Sequence, residues 1–159
     1  MVAFHGASIR ERRGSPVESS RSGRGPKLNV HVIFTTFEGT RAALKVARKL
    51  AHGLSARITV LVAQVVPYPV PLESPPVLIE FLQKTLVRMV EDQELETTIR
   101  VRLCRDSKET IRKSLAPESM LVIGGRARWW PIRDWMLAWT LRRDGHHLIY
   151  AASHDTNFQ

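Results

Sequence analysis

Residues 120–151 read MLVIGGRARWWPIRDWMLAWTLRRDGHHLIYA, which joins an apolar run, two glycines, several arginines and all four tryptophans of the chain. A strand that ends in a glycine turn and opens a helix is where phosphate groups bind. Glycine lets the backbone come close, and the helix N-terminus offers unpaired N–H donors. Gly124 and Gly125 stand at such a turn, with Arg126, Arg128 and Arg133 around it. Guanidinium forks there could grip an anion. The same bulk blocks the close backbone approach that small residues would allow, and Asp134 adds a competing negative charge. Arginines that fill a former pocket are therefore the expectation. An anion clamped by Arg126 and Arg128 is the alternative.

Other reactive residues do not combine. His146 and His147 are neighbours on a strand and point to opposite faces, so they do not share a metal. Ser153, His154 and Asp155 are consecutive, whereas a catalytic relay needs its three groups arranged in space. The sequence has no Cys-x2-Cys, no His-Glu-x2-His and no Gly-x4-Gly-Lys-[Ser/Thr]. No nucleophile–base pair can be named, so neither a metal site nor an enzyme is expected. The lone Cys104 cannot form an internal disulfide.

The elements that position the turn follow from periodicity. Leu28–Thr36 is an apolar, β-branched run and reads as a first strand. Thr40–His52 has helical spacing, with Ala43, Val46, Ala47, Leu50 and Ala51 on one face and Arg41, Lys45, Arg48 and Lys49 on the other. Gly53 is the expected stop. Ala56–Val66 is a second strand, apolar enough to be buried on both faces. Pro67–Pro76 holds five prolines and reads as an extended loop. Val77–Val90 is helical, and Thr97–Cys104 alternates as a strand. Asp106 with Glu109 resembles a capping box that opens a short helix to Leu115. Met120–Ile123 is a strand, Pro131 opens a helix that Gly145 ends, and His147–Ala151 is the last strand. Trp135 and Trp139, four apart, are expected in the core or an interface. Trp129 and Trp130 fall in the loop.

Strands alternate with helices, which implies an α/β fold: an open five-stranded parallel sheet with helices on both faces. Residues 1–27, rich in Gly, Ser and Arg, are expected to be a disordered basic tail, residues 28–152 the domain, and residues 153–159 a flexible end. The chain carries a net charge of +9, of which +4 lies in residues 1–27. Without a dense basic tract or aromatics interleaved with it, nucleic acid is not an expected partner. No run approaches the ~20 apolar residues of a membrane helix, and no apolar signal core opens the chain, so the expected location is cytoplasmic.

Three segments in this order, VIFTTFEGTRAALKVARKLA, SKETIRKSLAPESMLVIGG and GGRARWW…LRRDGHHLIYA, resemble a universal stress protein (UspA-like) domain. This is a family of the adenine-nucleotide α-hydrolase-like superfamily. The resemblance covers roughly residues 29–151 and implies strand order 3-2-1-4-5. Nucleotide-binding members carry Gly-x2-Gly-x9-Gly-[Ser/Thr] after the fourth strand. On this chain Gly125 matches the first glycine, while the other positions fall on Arg128, Ala138 and Trp139. The family's acidic residue at the end of the first strand falls near Thr35 or Thr36. The resemblance thus implies a domain with a degenerate ATP motif and no cofactor. A vestigial nucleotide or anion site would be lined by Thr35, Thr36, Gly124, Gly125, Arg126 and Arg128, with ATP as the alternative ligand. It also implies stress-related or regulatory work through homodimers and a protein partner. The apolar edge residues Leu148, Ile149 and Tyr150 of the last strand would form the dimer.

Overall fold

In the computed structural model, residues 2–5, 28–72, 79–91, 97–125 and 132–152 are described. Their order is β1 (Val2–His5), β2 (Asn29–Ile33), α1 (Phe37–Leu54), β3 (Arg57–Val65), α2 (Ile79–Glu91), β4 (Thr97–Cys104), α3 (Ser107–Ser114), β5 (Met120–Gly125), α4 (Ile132–Arg143) and β6 (His147–Ala152). The sheet runs β1-β4-β3-β2-β5-β6, and every pairing is parallel. The five strands read from the sequence thus lie in the order third, second, first, fourth, fifth, as expected. β1 extends the sheet along β4, with Val2 opposite Thr97 and His5 opposite Arg100. Reading residues 1–27 as one structureless tail did not include this strand. Residues 6–27 and 153–159 lie outside the described residues.

Parallel strands need crossovers, and the crossovers lay helices on both faces. On one face Ala43, Leu44, Ala47 and Ala51 of α1 and Leu82, Leu86 and Val90 of α2 pack on Val30, Val32, Ile58, Val60 and Ile99. On the other, Ile111 of α3 and Leu137, Ala138 and Leu141 of α4 pack on Ile33, Leu61, Leu121 and Ile123. Alternate residues of β2 therefore serve different cores, as a period of two requires.

Two helix ends show how local chemistry sets the boundaries. α4 stops at Gly145, whose φ of 87° is left-handed. There Gly145 N–H bonds Arg142 O at 3.1 Å and His146 N–H bonds Leu141 O at 3.1 Å, which satisfies the last carbonyls. α1 does not stop at Gly53 as expected. Gly53 lies within the helix, and Ser55 takes the left-handed position with φ 49° while Ala56 N–H bonds Ala51 O at 2.9 Å.

His31 is buried on β2, on the α3/α4 side of the sheet, and its Nδ1 has no hydrogen-bond partner among the described residues. Burial, then the nearby charges of Arg100 and His146, lower its pKa to about 4. The imidazole is thus held neutral in the fold while the unfolded chain takes up its proton near pH 6.5.

Two outcomes follow from these environments. A Cβ on Gly53 would meet nothing within 4 Å. Gly53→Ala should therefore raise unfolding free energy by about 0.5 kcal/mol in urea titration, through reduced freedom of the unfolded chain. A folded-state pKa below the unfolded one contributes stability that is full above the unfolded pKa and declines as pH falls. The stability of the wild-type chain should then decrease from about pH 6.5 towards pH 4, and His31→Leu should flatten that part of the profile.

Candidate functional site

The carboxyl ends of β2, β3 and β4 open into a cleft of about 670 Å³, within the ~300–1,000 Å³ range of small-ligand pockets. The turn after β2 contributes Phe34, Thr35 and Thr36, β3 contributes Ala63 and Val65, the turn after β4 contributes Arg105 and Asp106, and the start of α3 contributes Ser107 and Lys108. Ile111 of α3 and Leu137 of α4 close the apolar side. Open α/β sheets bind ligands in this place, where neighbouring strands send their crossovers to opposite faces.

The seam between β2 and β5 is made of backbone. Thr35 Oγ1 donates to Gly124 O at 2.7 Å. Gly39, in the first turn of α1, lies directly against Gly124. A Cβ on Gly39 would sit 2.5 Å from Gly124 O and 2.8 Å from Thr35 Oγ1, and a Cβ on Gly124 would overlap the Gly39 carbonyl oxygen. Neither position admits a side chain without moving α1 away from β5. Gly125 ends β5 beside Ala152 of β6.

The N-termini of α1 and α3 beside the cleft are capped from within the chain. Thr36 caps α1 by accepting from Gly39 N–H at 3.0 Å. Phe34 and Phe37 brace this turn edge to face, with ring centroids 5.4 Å apart. Asp106 caps α3, its Oδ1 accepting from the N–H groups of Lys108 at 2.8 Å and Glu109 at 3.2 Å. The carboxylate of Glu109 pairs with Lys113 Nζ at 2.6 Å. Arg105 turns to the loop after β3. Its guanidinium donates to Val66 O at 2.6 Å and Val70 O at 2.8 Å and lies 4.1 Å from the Tyr68 ring centroid. Of the cations lining the cleft, Lys108 is the one for which no ion pair or side-chain hydrogen bond is found among the described residues.

Thr35, Thr36 and Gly124 therefore come together, with Gly125 next along β5. Arg126 and Arg128, together with Trp129, Trp130 and Pro131, lie outside the described residues. Sequence reading missed Gly39 and the loop 105–108. Two signals were present: a glycine inside the first turn of a helix, and a polar loop at the carboxyl end of a strand. Trp135 and Trp139 are not core. They are 60% and 54% exposed, and the buried stripe of α4 is Leu137, Ala138 and Leu141. Among the described residues no cluster of three or more His, Cys, Asp or Glu could hold a metal, and no helix is long and apolar enough to cross a membrane.

A solved structure described as a universal stress protein in complex with cAMP superposes on 82% of this chain and 100% of its own, at TM-score 0.51 and 14% identity. The chain has the universal-stress-protein fold. At this identity the likeness concerns the fold alone. No protein-family model and no curated protein sequence matches the chain.

The seam predicts that Gly124→Ala lowers stability by more than about 2 kcal/mol in urea denaturation, because its Cβ meets main chain rather than a movable side chain. A loss below about 0.5 kcal/mol would show that the contact is not tight.

Proposed function

We infer that the chain is a non-enzymatic regulatory domain of the universal-stress-protein type that works as a homodimer and through a protein partner, with its nucleotide site lost. The open edge of β6 carries this reading. β6 pairs with β5 on one side, and no described strand pairs with its other side. Its six residues, HLIYAA, include no proline and no lysine or glutamate, the residues that usually protect a sheet edge. Leu148 and Ile149 are half-buried and Tyr150 is 43% exposed, so the edge presents apolar surface along a side of the sheet that no described strand covers. A second copy of the same strand would cover that side.

The state of the cleft supports loss of the nucleotide. The Gly124 carbonyl and Thr35 hydroxyl bond each other, and side chains of the chain itself cap the N-termini of α1 and α3 beside the cleft. A phosphate there would also meet the carboxylate of Asp106, which lines the cleft. Of the family's loop motif only Gly125 is kept.

One observation favours a second reading, in which ATP or another anionic nucleotide binds. The cleft is large enough, Lys108 lines it, and the solved neighbour holds cAMP. Arg126 and Arg128 would then replace the loop glycines. Calorimetric titration with ATP and cAMP tests this. On the second reading Lys108→Ala and Arg128→Ala each weaken binding by about tenfold. Equal affinity in both variants, or no heat in the wild type, removes it.

Light scattering tests the first reading. The wild type should be a dimer at tens of micromolar, and Tyr150→Lys and Ile149→Pro should be monomers. Tyr150 is exposed enough that its replacement leaves the cores intact. A monomeric wild type, or a dimer retained in both variants, contradicts it.

A further inference from the structure

The outer face of α4 is unlike the outer face of any other helix in the described chain. Leu137, Ala138 and Leu141 hold the helix on the sheet. The opposite face then presents Trp135, Met136 and Trp139, which are 60%, 45% and 54% exposed. Two indoles and a thioether on consecutive turns make an apolar ridge that water wets at a cost. Arg142 and Arg143 continue it and are exposed. The Arg143 guanidinium lies 5.6 Å from the Trp139 ring centroid. The nearby carboxylate of Asp144 is held by Arg112 through two bonds, at 2.5 and 3.1 Å.

We propose that the Trp135–Met136–Trp139 ridge, with Arg142 and Arg143, docks this domain peripherally on an anionic phospholipid surface. Three features point to a bilayer. Indole rings and methionine favour the boundary between headgroups and acyl chains, and arginines at one end of the ridge meet phosphates there. The ridge faces away from the sheet, opposite Leu137, Ala138 and Leu141, and all three of its side chains are exposed. Charge completes the argument. A second copy offers the same basic surface, whereas an anionic leaflet attracts a chain of net charge +9. Single-stranded nucleic acid would need a free ring face for stacking, and Arg143 lies over one face of Trp139. With no spanning helix among the described residues, the attachment is superficial and reversible.

Cosedimentation of the full chain with extruded vesicles tests the proposal. Vesicles of phosphatidylcholine containing phosphatidylglycerol should carry the protein down at low salt, and phosphatidylcholine alone should not. Trp135→Ala/Trp139→Ala should lower the partition coefficient at least about tenfold with an unchanged melting temperature, since both side chains lie outside the core. Arg142→Gln/Arg143→Gln should lower it as well and flatten its salt dependence, which keeps the test decisive if the tryptophan variant melts early. No binding to either vesicle overturns the proposal, as does equal binding by both double variants. Self-association that disappears in the tryptophan variant, without vesicle binding, assigns the ridge to a second copy instead. Binding of a single-stranded oligonucleotide without vesicle binding assigns it to nucleic acid. Either result also overturns the proposal.

Discussion

The contact between Gly39 and Gly124 sets the distance between α1 and the middle of the sheet. Two backbones meet there with no side chain between them, and Thr35 ties the seam by donating to the Gly124 carbonyl at 2.7 Å. The close approach lets Ala43, Ala47 and Ala51, all small, bury completely along the same helix. It also draws the carboxyl end of β5 beside the first turn of α1. The first turn of α1 and the end of β5 thereby share the switch point between the two faces of the sheet.

The same seam engages polar groups at the carboxyl ends of the strands. Donors and acceptors at the carboxyl ends of a parallel sheet need partners, and a ligand is one way to supply them. Here the chain supplies them itself, through Thr35 on Gly124, Thr36 on Gly39 and Asp106 on Lys108 and Glu109. A cleft remains because helices cannot close over strand ends completely. Exposed apolar surface also lies along the β6 edge and the outer face of α4. These surfaces lie next to each other, since α4 runs directly into β6 through the Gly145 turn.

The fold was legible from residue order because its pattern is redundant. The continuously apolar run Val60–Ala63 inside β3 marks a sheet buried on both faces, and amphipathic α1 and α2 announce the helices that cover it. The strand β1 was not legible. Four residues of VAFH carry no periodicity that separates an edge strand from a tail, and their pairing with β4 is a distant contact. α4 misled for a different reason. Its tryptophans have helical spacing, but Leu137, Ala138 and Leu141 have it too, and spacing cannot say which apolar stripe turns inward. Aromatic size argued for core or interface, and the exposure of Trp135 and Trp139 removes the core alone. In the site, the threonines and glycines were found through the strand-turn-helix pattern, whereas Gly39 and Lys108 act through tertiary proximity that a single sequence does not display.

Hydrogen exchange of the β6 amides, followed by mass spectrometry at several protein concentrations, tests the account most directly. An association edge predicts protection of residues 147–152 that is strong at high concentration and falls on dilution, with no change when ATP or cAMP is added. Fast exchange there at every concentration, together with nucleotide-induced protection at residues 34–36 and 105–108, would contradict it and identify the cleft as the working site.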